Sequence, residues 1–287
     1  MTARAIGELL VAAESTLREA GLAEPRDEAL YLLGLLLDRR RGQLLLQRAE
    51  SVDRDVAERF HAWVRRRANR EPAQHIAGEQ EFHGLSFRVT PDVLIPRNET
   101  EMLVDELLAV TPRDGVVVDL GTGSGCIVVA AAVKRHDLRL QALECSSAAL
   151  DVARSNARRH GVLDRVEFVE GDFSAPPEAW FGTAHTVVSN PPYVREAEWA
   201  ALEPEVRDHD PRGALVAGEH GLEAYRVLIP QARLLLRPGG RLLLELGKGQ
   251  AAEVRALAAA VGFASLQVKP DLNGIPRLLT AVLRSAP

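Results

Sequence analysis

From residue 115 onward the chain alternates short apolar runs with stretches of helical spacing, and this alternation most constrains how it can fold. Runs buried on both faces and separated by helices belong to parallel sheets, because a parallel pair needs a crossover connection. The first run, Val116 to Leu120, leads into Gly121-Thr122-Gly123-Ser124-Gly125, and a helix begins at Cys126. Further runs lie at Leu140–Leu143, Val166–Glu170, His185–Val188 and Arg241–Glu245, with helices expected over 221–236 and 250–261. The last two runs, 264–269 and 277–284, flank Asp271-Leu272-Asn273-Gly274 and read as a hairpin. The expected fold is α/β: a doubly wound sheet with a late antiparallel hairpin.

The ends of these runs carry the chemistry. Glycines at 121, 123 and 125 let the backbone approach a ligand closely, at the positive N-terminus of a helix. The second run ends at Glu144, about 20 residues on, where a carboxylate can accept both hydroxyls of a ribose. The third ends at Gly171-Asp172-Phe173, an acid and an aromatic face suited to an adenine. In a doubly wound sheet these ends adjoin, so one nucleoside-bearing ligand spans them.

The fourth run ends in Ser189-Asn190-Pro191-Pro192-Tyr193. Two prolines remove two N–H donors and hold an extended corner. That corner offers carbonyl oxygens, the Asn190 amide and the ring of Tyr193. Two acceptors and a ring suit a planar NH2 group. Taken alone, the tetrapeptide reads equally as a strand ending in a proline turn. Its arrival at the same sheet edge as the nucleoside features favours the functional reading.

Residues 1–75 read as a separate helical domain. Ile6, Leu9, Leu10, Ala13 and Leu17 share one helix face that Gly21 ends; a second helix carries Ala29, Leu30 and Leu33, and a third starts near Asp53. The runs Arg39–Arg41 and Arg65–Arg67 read as solvated helix ends in preference to contacts with an acidic or phosphate-bearing partner. Residues 76–95 alternate and are broken by glycines, as in a hairpin linker, and 96–287 form the α/β domain. Asn98 with Glu101 resembles a capping box opening the next helix. Arg97 and Glu99 are not needed for that cap; they are either exposed charges or pocket lining.

A net charge of −5 argues against a dedicated duplex-DNA binder. No apolar run reaches membrane-spanning length, and the N-terminus lacks a signal-peptide pattern, so a cytoplasmic protein is expected. Two cysteines make no disulfide framework, and eight histidines show no ligand spacing, so no metal is expected. Cys126 stands at a helix start, where a thiol pKa can fall, but a small core residue is the better reading.

Together these motifs resemble the Class I S-adenosylmethionine-dependent methyltransferases, and within them the release factor glutamine methyltransferases (PrmC/HemK type). The likeness runs from Pro72–Phe82 through Ile95–Glu101, Asp119–Gly125 and Asn190–Tyr193 to Asp210–Leu215 and Pro238–Gly240. It implies a Class I methyltransferase domain behind a helical domain that docks a class I peptide chain release factor. The methyl acceptor would be the glutamine of a Gly-Gly-Gln loop, with S-adenosyl-L-methionine as donor and S-adenosyl-L-homocysteine as product. Gly121, Thr122, Gly123, Ser124 and Gly125 would cradle the donor, Glu144 would hold its ribose, and Asp172 and Phe173 would lie at its adenine. Asn190 and Pro191 would hold the acceptor amide, with Pro192, Tyr193, Arg97 and Glu99 around it. The chain departs from the family at Asn98, where a second proline is usual, at Glu144, where aspartate is usual, and in the loop 217–222. The competing expectation is a nucleic-acid amino methyltransferase acting on a flipped adenine or cytosine with the same proline corner. Against it stand the acidic charge and the lack of a basic recognition region; no membrane and no direct nucleic-acid partner are expected.

Overall fold

A computed structural model describes residues 4–284; the first three residues of the expected helical domain and the last three of the expected α/β domain lie outside the described residues. The chain divides into two compact units, one comprising residues up to 79 with 203–209, the other 80–202 with 210 onward.

The first unit is helical. It holds α1 (Ile6–Glu19), α2 (Pro25–Leu37), α3 (Arg41–Leu46), α4 (Arg54–Ala68) and α5 (Ala73–Ala77), with a small antiparallel pair of β1 (Arg4–Ala5) and β2 (Ser51–Val52). Ile6, Leu9, Leu10, Ala13 and Leu17 form the buried face of α1, as their spacing requires, and meet Leu30, Leu33, Leu44 and Phe60. Pro25 starts α2, where its missing N–H costs nothing, and Asp38 in the left-handed region ends it.

One arginine run departs from the expectation of solvated helix ends. Arg67 is 7% exposed and forks onto both oxygens of Glu28, at 2.9 and 3.0 Å, while its other nitrogen donates to Glu205 at 2.8 Å. Arg70 donates to the second oxygen of Glu205 at 2.8 Å. These bidentate bonds are of the strong, geometrically specific kind. They explain why the short helix α9 (Pro204–Arg207), far along the chain, belongs to this unit.

The second unit begins at Gln80, within the first strand of the hairpin of β3 (Glu79–Phe82) and β4 (Leu85–Arg88). Its two-residue turn, His83-Gly84, has positive φ at both positions, as a tight right-twisted hairpin demands. The expected capping box does not form. Asn98–Thr100 is a 3₁₀ turn leading into α6 (Glu101–Val110), with no side-chain cap, and Glu101 accepts from the backbone of His83 at 2.7 Å instead.

Seven strands make the main sheet: β5 (Val116–Leu120), β6 (Arg139–Glu144), β7 (Val166–Glu170), β8 (Ala184–Ser189), β11 (Leu236–Glu245), β12 (Phe263–Pro270) and β13 (Pro276–Leu283). Their order is β12-β13-β11-β8-β5-β6-β7; the first five in chain order are parallel, and β13 joins β11 and β12 antiparallel. The late hairpin is thus present. The strand expected from Arg241 starts earlier, at Leu236, with a register shift across Pro238-Gly239-Gly240. A Cβ on Gly240 would lie 2.9 Å from the Arg237 carbonyl, which explains a glycine in that kink.

Helices α7 (Cys126–Lys134), α8 (Ser147–Arg159), α10 (Glu223–Leu235) and α11 (Ala251–Ala260) cover the sheet. Every residue of α7 from Cys126 to Ala132 is buried, so it is apolar on all sides rather than on one stripe. The long connection 194–218 contains only α9, 3₁₀ turns and the short parallel pair of β9 (Val194–Arg195) and β10 (Val216–Gly218). No helix among the described residues is long and apolar enough to cross a membrane.

Candidate active site

Strand order reverses at β5: β6 lies on one side of it and β8 on the other. At such a switch point the connections leave in opposite directions and open a crevice at the strands' carboxyl ends. A cavity of about 360 Å³ lies there. Its lining includes the loop 121–124, Glu144, Asp172 and Phe173, then Asn190, Pro191 and Pro192. The sheet therefore brings together ends of four strands that the sequence placed separately.

The glycine loop is held by its own backbone. Gly121 and Thr122 both donate to the Leu143 carbonyl, at 2.8 and 3.1 Å, and Gly125 donates to Thr122. Gly121, Gly123 and Gly125 all have positive φ. Gly125 is closely packed as well, since a Cβ there would lie 3.1 Å from that of Ala153 and press α8 outward. At Gly121 and Gly123 a Cβ would meet nothing within 4 Å, so the space beside them is open for a ligand. The loop is also stapled from outside. Asn156 of α8 is fully buried and donates to the carbonyls of Ser124 and Arg88, at 2.9 and 3.0 Å, while accepting from Arg88 N–H at 2.7 Å.

Glu144 is 8% exposed and accepts from Gly123 N–H at 2.9 Å and Ser146 N–H at 3.0 Å, one on each oxygen. The Cys145 thiol, a weak donor, also reaches the oxygen bonded to Ser146, at 3.5 Å, and the oxygen bonded to Gly123 keeps a lone pair for a further donor. Behind the loop, Asp119 accepts from the Thr122 hydroxyl at 2.6 Å, while its other oxygen is buried with no hydrogen-bond partner among the described residues. Burial first, then the charge of Glu144, pushes the Asp119 carboxyl up to about 7. Open space at the glycines and the acceptor oxygens of Glu144 fit a polar ligand that carries neighbouring hydroxyl groups, such as a nucleoside. Cys126 lines the cavity, but burial pushes its thiol up to about 12, which agrees with the core reading.

Asn190 stands where β8 ends, and its Nδ2 donates to the Thr100 hydroxyl at 3.1 Å. Thr100 donates in turn to Glu245 at 2.6 Å, the last residue of β11. Tyr193 was expected as the plane closing the corner. Its hydroxyl instead donates to Glu245 at 3.3 Å, its ring packs against the core, and neither Tyr193 nor Glu99 lines this cavity. Arg97 does line it, and pairs with the buried carboxylate of Asp210 at 2.5 Å. That pair anchors the segment whose Pro211, Gly213 and Ala214 form another part of the wall. Among the described residues no cluster of side chains is arranged to hold a metal ion.

Thr100, Glu245, Asp210 and Asn156 were not singled out from the sequence. Glu245 carried the same signal as Glu144, an acid at the end of a buried run. Thr100 sat inside a motif already in view. Asp210 opened the stretch Asp210–Leu215 already in view, and Asn156 had no local signal at all.

Comparison with known proteins agrees with this geometry. Residues 8–78 match the family described as PrmC N-terminal domain, and 98–203 match the methyltransferase small domain. A crystal structure of a methyltransferase from Pyrococcus furiosus shares the fold, with a TM-score of 0.53 at 18% identity over 70% of this chain and 90% of that one. Proteins named release factor glutamine methyltransferase are similar over nearly the whole chain. The one from Moorella thermoacetica is 42% identical over 288 residues, covering 99% of each chain. The one from Geobacter sulfurreducens is 41% identical over 265 residues, covering 92% of this chain and 91% of its own. At that identity and coverage, the chain belongs to the release factor glutamine methyltransferase family.

Proposed function

We propose that this protein transfers a methyl group from S-adenosyl-L-methionine to the side-chain amide nitrogen of the glutamine in the Gly-Gly-Gln loop of class I peptide chain release factors, in the cytoplasm. One observation carries the reading: Asn190 and its two prolines line the same cavity as the glycine loop and Glu144. A donor pocket and an NH2-accepting corner then share one space.

The donor supplies an electrophilic methyl group on a sulfonium. The chain's own task is alignment, because an amide nitrogen is a poor nucleophile whose lone pair is delocalised. In this reading Gly121–Gly125 hold the donor's polar chain, Glu144 accepts from its ribose hydroxyls, and Asp172 and Phe173 take the adenine edge and face. Asn190 Oδ1 and the Pro191 carbonyl accept the two hydrogens of the glutamine NH2. They fix its direction and stabilise the positive charge that grows on nitrogen; as the C–N bond forms the methyl–sulfur bond breaks, the sulfur leaves as a neutral thioether, and one N–H proton is lost from nitrogen to solvent. Pro192 keeps the corner free of competing N–H donors. Tyr193 acts from behind, through Glu245, and Arg97 through Asp210; Glu99 adds negative charge near that network. The helical unit, with charges nearly balanced over 1–75, suits docking of a protein better than a phosphate backbone.

The test mixes the enzyme with methyl-labelled donor and each class I release factor, its loop glutamine intact or replaced by alanine. Label is expected on the intact factor only, as one methyl on the side-chain nitrogen by mass spectrometry. Equal labelling of the alanine variant, or label only on added DNA or RNA, overturns the assignment and favours a nucleobase acceptor.

A further inference from the structure

An asparagine that accepts a substrate hydrogen must present its oxygen, yet its amide can turn over with almost no change in shape. A neighbouring group has to hold the nitrogen end, so that the oxygen stays free for the substrate. Among the described residues, the Thr100 hydroxyl bonds that end, at 3.1 Å. A hydroxyl donates or accepts, so by itself it does not choose. What chooses is Glu245, 2.6 Å behind Thr100 and 2% exposed. An ionised carboxylate only accepts. Thr100 must therefore spend its one hydrogen on Glu245, which leaves only lone pairs toward Asn190. Only Nδ2 can then sit at Thr100, and Oδ1 is left for the cavity.

We propose that Glu245, acting through the Thr100 hydroxyl, fixes the polarity of the Asn190 amide and so sets the acceptor site; Thr100 and Glu245 are positioning residues. This rests on the reading of Asn190 as the group that binds the acceptor NH2. The three residues come from three elements, the end of β11, the turn before α6 and the end of β8, so the relay exists only in the folded sheet. Protonation of Glu245 undoes the logic. A neutral carboxyl can donate to Thr100, the hydroxyl can then donate to Asn190 Oδ1, and the amide is free to turn. Burial pushes Glu245 up to about 7, with Glu99 adding to the rise. The Thr100 bond, Arg277 on β13 and the Tyr193 hydroxyl oppose it. Tyr225 bonds the Glu245 carbonyl rather than the carboxylate, and the Cys126 thiol nearby stays neutral.

The relay is cut by Thr100→Val, of the same shape, and kept by Thr100→Ser. The Asn190 side-chain NH2 signals in a nitrogen–proton correlation spectrum are assigned by their loss in Asn190→Ala. In the wild type they should move as pH crosses neutrality. In Thr100→Val they should be displaced and lose that pH dependence, and in Thr100→Ser they should recover it. On the release factor, Thr100→Val should lower kcat about 10- to 100-fold, the scale for losing a partner that orients a binding side chain. KM and donor affinity by calorimetry should change far less, and the rise of kcat with pH should flatten. If Thr100→Val does not fold, Glu245→Gln replaces it, and the Asn190 signals should again stop titrating. Asn190 signals that titrate alike in wild type and variant overturn the relay even if glutamine is methylated. If the wild type labels a nucleobase instead, the function assignment falls, while the spectra still decide the relay.

Discussion

At the scale of single residues, the site uses carboxylates in two ways. Glu144 is half-satisfied by backbone N–H groups, which hold it in place and leave lone pairs for a ligand. Glu144→Ala should weaken S-adenosylmethionine binding by about 1–3 kcal/mol, the value of charge-assisted hydrogen bonds to two hydroxyls. Calorimetry checks this, and an unchanged affinity would put the ribose elsewhere. Glu245 is instead sealed in, and its burial has a thermodynamic sign. The folded chain keeps its proton up to about pH 7, whereas an unburied glutamate loses it near pH 4.5. That contribution to stability is full below 4.5 and is lost as pH rises through 7. Thermal unfolding of the ligand-free protein should show the wild type losing ground against Glu245→Gln over that window. Parallel curves would mean the carboxyl is not held protonated. The ionisation that orients Asn190 thus costs stability, a common trade at functional sites.

Among the elements, α8 does work that no ligand contact reveals. Asn156 on its buried face bonds both the glycine loop and β4, so one side chain couples three segments. Asn156→Ala would strand one N–H and two carbonyls in a dry interior. A loss of about 2–4 kcal/mol in unfolding free energy is expected, larger than for one hydrogen bond because the network fails together. Denaturant melts measure it, and donor affinity should fall as well, since Ser124 is part of the cavity wall. A loss below 1 kcal/mol would show that water replaces the amide.

For the whole molecule, the division of labour is testable by removing the first unit up to residue 79. The remaining chain keeps both main-sheet core clusters and every residue lining the cavity. It should bind donor normally yet lose efficiency on a folded release factor. The segment 203–209 groups with the missing helices, and Glu205 would lose Arg67 and Arg70. Trypsin should therefore cut after Arg207 sooner than in the full chain. Undiminished methylation of the folded factor would show that the helical unit does not dock it.

Much of this was legible in the chain before folding. The parallel sheet, its late hairpin, the glycine loop and the strand-end positions of Glu144, Phe173 and Asn190 followed from local properties. An apolar run, a glycine that tolerates positive φ and a proline that lacks an N–H each act within a few residues of themselves. The capping box failed because Glu101 found a tertiary partner in the His83 backbone, and Arg67 was misread because the acids that bury it lie 39 and 138 residues away. Tyr193 was misplaced for the same reason, since Glu245 lies 52 residues on. Sequence alone determined which groups stand at the ends of strands. Only the tertiary structure decided which ends are neighbours: Thr100 meets Asn190 across 90 residues and Glu245 across 145 because β8 pairs with β11 and α6 packs against both. Strand order is a property of packing among distant segments, and no local pattern carries it.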